Sequence, residues 1–222
     1  MPMSRSSILL QRGWLSRQPD DFQTAILAAG RIRTYARGET IYALGSEPGG
    51  TFAVLTAPVA VLIAPDASGP FLAHLARPGD WFGEGAFLTG EPRRVGLEAL
   101  TDCSLLHLPL DAMERLAASD PNATRRFAQI AMMNIDLALT VIGELMIPDV
   151  SRRLATFLLR ATASGLTPLP LTQAQIARMA NTSRKVVNAV LSRFASQGWV
   201  ETGYAAVIVK DPDALHRYAA AD

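Results

Sequence analysis

The residues with the clearest chemistry lie near the C-terminus, where 172–198 reads TQAQIARMANTSRKVVNAVLSRFASQG. Arg184, Lys185, Asn188 and Ser192 recur at helical spacing, so one helix face presents a guanidinium, an ammonium, an amide and a hydroxyl together. Such a face suits a duplex major groove. Arginine can make a bidentate pair with guanine and an amide can do so with adenine, while lysine reads a guanine or holds a phosphate. The opposite face, Val187, Val190, Leu191 and Phe194, is apolar and requires burial.

Several local signals position that face. Thr172 and Gln175 form a capping box, in which the hydroxyl accepts the N3 amide and the Gln side chain returns to the N-cap amide. Ile176, Met179 and Ala180 then give the first helix an apolar stripe, and Ala177 is small enough for a second helix to cross closely. Asn181 falls at the turn, where a left-handed conformation is expected and Asn tolerates it. Thr182 or Ser183 caps the second helix, and Gly198 is its expected C′ stop. Thr172, Gln173, Thr182 and Ser183 complete the candidate DNA-contacting set with Arg184, Lys185, Asn188 and Ser192. The segment from Trp199 to Val209 reads as two short strands around a Gly-containing turn, which makes the unit a winged helix-turn-helix. The plain alternative is a helical hairpin with a solvated polar face.

Charge is distributed to match. The 222 residues carry a net charge of only +1. Residues 1–150 hold twelve arginines, no lysine and sixteen acidic residues, a net −4, whereas 151–222 hold nine basic and four acidic residues, a net +5. A basic C-terminal third fits a nucleic-acid module joined to another domain. The apolar fraction of 49% is ample for packed cores. Cys103 is the only cysteine, which excludes an internal disulfide framework and points to a reducing compartment, the cytoplasm. The start of the chain, with Arg5 and the short apolar run Ile8–Leu10, does not read as a signal peptide. Phe127 to Ile147 is apolar but contains Asp136 and Glu144, each costing about 2–3 kcal/mol at a bilayer centre, so no membrane span is expected.

Residues 6–30 read as helical with a break near Pro19-Asp20-Asp21. From 31 to 110 short apolar segments alternate with turns. The strand candidates are Arg31–Tyr35, Thr40–Ala43, Phe52–Leu55, Val59–Ile63, Phe71–Leu75, Val95–Leu100 and Ser104–Leu108. They are separated at Arg37-Gly38, Glu47–Gly50, Asp66–Gly69 and Arg77–Asp80, a texture that indicates a β-roll, barrel or sandwich. Asp120-Pro121 then opens a long helix with a cap and an N1 proline. It runs to about Met146, some 26 residues and roughly 39 Å. Two apolar seams run along it. One is Ala128, Ala131, Ile135, Ala138, Ile142 and Leu145; the other is Phe127, Ile130, Asn134, Leu137 and Val141. A helix of this kind packs one seam on its own domain and offers the other to a second copy, although burial within a single monomer satisfies the same pattern. The fold class is therefore α+β: a sensory β-roll domain with flanking helices at 1–119, a dimerisation helix at 120–147, and a DNA-binding winged helix at 148–222.

That order of elements resembles the Crp/Fnr family of bacterial transcription regulators along nearly the whole chain. The resemblance is carried by Trp81-Phe82-Gly83-Glu84 leading to Arg93-Arg94, by Asp120-Pro121, by Asp149-Val150 at the hinge, and by Thr182-Ser183-Arg184. It implies a homodimer, a two-fold DNA site, and RNA polymerase as partner for an activator. In cyclic-nucleotide-binding members a Gly-Glu pair grips the ribose and an Arg followed by Ser or Thr grips the cyclic phosphate. Gly83 and Glu84 are present, and the arginine is Arg93 in a register one residue shorter or Arg94 in an ungapped one. In neither register does a hydroxyl follow, since the next residue is Arg94 or Val95. The family's adenine-contacting hydroxyls fall on Ala138 and Leu139, so cAMP is not the expected effector. Glu84 and the arginines can instead form an internal ion pair that needs no ligand.

An iron–sulfur cluster held by four cysteines is excluded by the cysteine count, and no haem or metal site is expected from the scattered His74, His107, His216 and Cys103. Where many members have Glu after the recognition arginine and a further base-reading Arg, this chain has Lys185 and Ala189, which implies a different half-site. The reading is a DNA-binding regulator and not an enzyme, with no nucleophile–base pair or phosphate-cradling glycine loop. The alternative is a nucleotide-sensing module that acts on a protein partner.

Overall fold

A computed structural model describes residues 6–64, 69–163 and 167–221. Arg5 and most of the turn expected at 66–69 lie outside these residues. The chain divides into two compact units, Met1–Leu137 and Ala138–Asp222.

The first unit opens with α1 (Ser7–Gln11), a 3-10 turn at Leu15–Arg17 and α2 (Asp20–Ala29). The helical segment therefore breaks at Gly13 as well as before Asp20. Gly13 has φ +83°, and a Cβ there would lie 2.0 Å from the Gly79 carbonyl oxygen, so only glycine lets these two backbones meet. Next come β1 (Arg31–Tyr35), β2 (Thr40–Tyr42), β3 (Thr51–Val54), β4 (Val59–Ile63), β5 (Phe71–Ala76), β6 (Trp81–Phe82), α3 (Glu84–Thr89), β7 (Gly96–Ala99), β8 (Cys103–Leu108) and α4 (Leu110–Ser119). All seven expected strands form, with ends within one residue. The strand β6 and the helices α3 and α4 are additions. Two residues of strand are too few to show a period, and β6 exists because Trp81 and Phe82 find partners in Ala53 and Phe52 across the β3–β6 pair.

The strands make two antiparallel sheets, ordered β1-β8-β3-β6 and β2-β7-β4-β5. Their facing side chains, among them Phe52, Val54, Val59, Leu97 and Leu105, form one core cluster. A second cluster gathers Trp14, Phe22, Ile26, Trp81 and Leu108 around Phe127 and Ile130 of the long helix α5 (Ala123–Leu145). This helix begins two residues after the expected N1 proline. The Asp120 carboxylate accepts from the Asn122 amide at 2.9 Å, which spends Asp120-Pro121 on a turn before the helix rather than on its first turn. At 23 residues α5 is about 35 Å long. By length and composition it could cross a membrane, but Phe127 and Ile130 are packed into a protein core. Of the first seam, Ala128 and Ala131 are half-buried, while Ile135, Ala138, Ile142 and Leu145 are exposed. Of the second, Phe127 and Ile130 are buried and Asn134, Leu137 and Val141 are half-buried.

The second unit contains α6 (Val150–Thr162), α7 (Gln173–Met179), α8 (Arg184–Ser196), the two-stranded β9 (Val200–Gly203) and β10 (Ala206–Val209), and α9 (Pro212–Ala220). Asp149 caps α6 by accepting from the Arg152 amide at 2.7 Å. Phe194, Trp199 and Tyr218 pack ring on ring, which locks α8, the root of the wing and α9 together.

Candidate nucleic-acid interface

The helix-turn-helix is built by the local signals that its sequence carries. The Gln175 side chain accepts from the Thr172 amide at 2.8 Å, and the Thr172 hydroxyl accepts from the Gln175 amide at 3.2 Å. Asn181 takes the left-handed conformation at φ +48°. Of the two candidate caps for α8, Ser183 accepts from the Val186 amide at 3.2 Å, while the backbone N–H of Thr182 donates to the Ala177 carbonyl. Gly198 follows the helix at φ +76°, its amide donating to the Ala195 carbonyl.

Val187, Val190, Leu191 and Phe194 are the buried residues of α8, and Arg184, Lys185, Asn188 and Ser192 are all exposed. Thr172 and Ser183 are exposed and Gln173 and Thr182 half-buried. The Asn188 amide donates to the Gln173 side chain at 3.2 Å, which joins the candidate contact residues of the two helices. The wing pairs Gly203 with Ala206, leaving Tyr204-Ala205 as its tip, with Ala205 at φ +49° and Tyr204 fully exposed. Gln173, Arg184 and Asn188 face Thr202–Ala206 across a cleft of about 510 Å³.

One residue that holds this unit together has only a faint mark in the sequence. Arg153 of α6 is buried, and its guanidinium donates to the carbonyls of Ala180 at 2.8 Å, of Asn181 at 3.4 Å and of Ile147. It thereby fixes the turn between α7 and α8. Its one sequence signal is an arginine on the same helical face as Phe157, where an apolar residue is expected.

In the first unit Gly83, Glu84 and Arg93 come together. Gly83 has φ +106°, and a Cβ there would fall 2.3 Å from the Arg93 guanidinium. Arg93 is buried; it donates to the Gly83 carbonyl at 3.1 Å, and its guanidinium carbon sits 4.2 Å from the Tyr42 ring centre and 5.9 Å from that of Phe52. Arg94 points out and pairs with Glu91 where both are well exposed. The loop decides between the two arginines: the Arg93 backbone is clamped by Ser46 and Gly45, which turns its side chain inward and that of its neighbour outward. The inward arginine is thus in the register one residue shorter. The alternative of a Glu84–arginine ion pair does not form. Glu84 accepts instead from Asn134 of α5 at 3.1 Å, and burial pushes its carboxyl pKa up.

His107 contacts the Gly49 carbonyl at 2.6 Å and stacks on Phe52. Cys103 is buried, which pushes its thiol up to about 11. Among the described residues no three His, Cys, Asp or Glu side chains converge on a metal position.

A double antiparallel sheet leading through a long helix to an exposed, basic winged helix-turn-helix defines a DNA-binding transcription regulator. Comparison with known proteins agrees. Residues 32–120 match the cyclic nucleotide-binding domain and residues 152–218 the Crp-like helix-turn-helix domain, and the chain belongs to the Crp/Fnr family. A CRP-like cAMP-activated global transcriptional regulator of Mycobacterium tuberculosis is 26% identical over 194 residues, 83% of this chain and 86% of the relative. The transcriptional regulator LdrP of Thermus thermophilus is 28% identical over 196 residues, 85% of this chain and 96% of its own length. Among solved structures, a CRP-family transcriptional regulator from Thermus thermophilus superposes with a TM-score of 0.70 at 27% identity, covering 85% of this chain and 97% of that one. FixK2 of Bradyrhizobium japonicum, at 22% identity and TM-score 0.74 over 87% of this chain and 98% of its own, shares the fold. These relatives are regulators rather than enzymes, and they do not favour a module that acts only on a protein partner.

Proposed function

We propose that the chain works as a cytoplasmic homodimer on a pseudo-palindromic duplex site whose half-sites lie about one helical turn apart. In this reading residues 1–119 sense an effector, 120–147 dimerise and 148–222 bind DNA. The observation that carries the dimer is the outer face of α5. Met132, Ile135, Leu139 and Ile142 are 48–59% exposed and recur every three or four residues, an apolar stripe for which nothing among the described residues supplies a cover. A second α5 of the same chain matches it in length and chemistry. Arg184 reads guanine in each half-site, and Lys185 in place of an acceptor shifts the preferred sequence. RNA polymerase is the further partner at promoters that the protein activates.

The effector of this reading is not cAMP. Arg93 is followed by Arg94 rather than a hydroxyl, and Ala138 and Leu139 have no donor for a purine, so buried base atoms would go unpaired at about 1–3 kcal/mol each. Sedimentation of the wild type and of Ile142→Asp tests the assembly. The wild type should be a dimer and the variant a monomer with much weaker affinity for the full palindrome. A wild-type monomer, or a variant dimer of unchanged affinity, removes the proposal. Equilibrium dialysis that shows micromolar cAMP affinity removes the effector part.

A further inference from the structure

The second compact unit begins at Ala138, inside α5, so it contains Leu139 and Ile142 of the apolar stripe as well as α8 with Arg184. Only residues 146–149 separate α5 from α6. A hinge is expected at this link, yet it has little freedom. The Met146 amide donates to the Ile142 carbonyl and the Ile147 amide to the Glu144 carbonyl, both at 3.1 Å, so α5 closes in a tight last turn. Pro148 fixes its own φ and narrows the conformations open to Ile147. The Asp149 carboxylate then accepts from the Arg152 amide and opens α6.

Two arginines of α6 reach back across the link. Arg160 Nε donates to the Glu144 carboxylate at 2.5 Å, and the two side chains are only 14% and 9% exposed. An exposed ion pair at this place would hold its partners weakly, whereas a buried one leaves a stranded charge whenever it opens. Arg153 donates to the Ile147 carbonyl on one side and to the Ala180 carbonyl, at 2.8 Å, on the other. One guanidinium thus joins the end of α5 to the turn that precedes α8. Within this unit, the exposed stripe on α5 and the DNA-facing side of α8 are connected by a continuous set of short, mostly buried ties.

We propose that Glu144 and Arg160 are positioning residues that fix the half-site spacing the protein accepts. The inference rests on the homodimer reading. With Leu139 and Ile142 held against a second copy, each α8 is carried on the end of its α5 as one piece. The distance and angle between the two copies of α8 then follow from the α5 pair. One base pair added between the half-sites moves them apart by about 3.4 Å and turns one against the other by about 34°. Helices fixed at one separation cannot follow that shift, so one half-site is released. Without the Glu144–Arg160 tie the elbow at 146–149 keeps only Arg153, and α8 can follow the groove.

The probe is the palindromic duplex that the full-length wild type enriches from a random-sequence pool, remade with one base pair added or removed at its centre. Fluorescence anisotropy gives the affinity of the wild type and of Glu144→Gln for each duplex, and sedimentation gives their assembly. The wild type should lose about 100-fold on either shifted duplex, because simultaneous engagement of both half-sites is forfeited. Glu144→Gln should remain a dimer, bind a single half-site as the wild type does, and lose less than about tenfold on the shifted duplexes. Arg160→Met removes the pair from its other side and replaces Glu144→Gln if that variant fails to fold. A wild type that binds the shifted duplexes within about threefold of the original overturns the inference. So does a variant dimer with the wild-type spacing profile, since the pair then only stabilises the fold. A wild-type monomer, or a pool that enriches only a lone half-site, removes the dimer reading and this inference with it.

Discussion

Replacing Arg153 by Met tests whether the helix-turn-helix is held from behind by one buried cation. Arg153 is 8% exposed and serves three carbonyls that sit just beyond the ends of helices: Ala180 and Asn181 after α7, and Ile147 after α5. Carbonyls at helix C-termini have no partner within the helix and carry the negative end of its dipole, so a guanidinium there satisfies both demands. The bond to Asn181, at 3.4 Å, is too long to contribute much. The other two are charge-assisted, worth about 1.5–3 kcal/mol each, or about 3–6 kcal/mol together. Removing the charge also relieves the cost of burying it, which offsets part of the loss. The net expectation is a destabilisation of about 2–4 kcal/mol, since Met retains much of the stem packing. For a unit of this size that corresponds to a fall of about 10–20 °C in the midpoint of its thermal transition, measurable by calorimetry. Arg153→Lys keeps the charge but reaches one carbonyl rather than two, and should recover less than half of the loss. A loss below about 1 kcal/mol in the Met variant would show that water serves these carbonyls as well as Arg153 does, and the anchoring argument would fail.

Three further outcomes are expected. Arg184→Ala should cost about 1–3 kcal/mol of DNA affinity and relax preference at one base pair, read from binding to a set of singly substituted sites; a uniform loss across all sequences would make Arg184 a phosphate contact. Thr172→Ala should lower stability by about 1 kcal/mol in urea unfolding, because the Gln175 amide loses its acceptor and the capping box opens; an unchanged midpoint would mean that the box contributes nothing. Burial raises the Glu84 pKa above its ordinary value of 4.5, so folding favours its protonated form. The stability this lends is complete below the unfolded value and is lost as pH rises through the folded one. Glu84→Gln should abolish that part of the decline in thermal midpoint above pH 4.5, and a profile parallel to the wild type would refute it.

The parts legible in the sequence are those where the cause is local. Thr172, Gln175, Asn181, Ser183 and Gly198 each act within a few residues of themselves, so the helix-turn-helix can be drawn from the chain alone. The strands of the roll are legible for a related reason, since short apolar runs, buried along most of their length, stand between Gly- and Pro-rich turns that need only near neighbours. What escapes is set by distant contacts. The strand β6 exists because β3 lies beside it, and the close approach of Gly13 to Gly79 joins residues far apart in the chain. Asp120-Pro121 misleads for the opposite reason: a cap followed by proline has the same local signature whether the pair starts the helix or the turn before it. The choice between Arg93 and Arg94 turns on which backbone is clamped by Gly45 and Ser46, and no spacing argument reaches across that gap.

Asn134 shows how a polar residue in an apolar seam should be read. In a helix whose inner face is otherwise Phe127, Ile130 and Leu137, an amide is costly unless both ends of a local need are met. Here its two donors reach the Trp81 carbonyl and the Glu84 carboxylate, which precede and open α3. Arg93 donates to Gly83 and lies against the two aromatic rings, and the side-chain hydrogen bond that reaches Glu84 comes from α5. The Glu84 carboxylate is therefore tied to the long helix. The residue that interrupts the seam is thus the helix's point of connection to the β-roll.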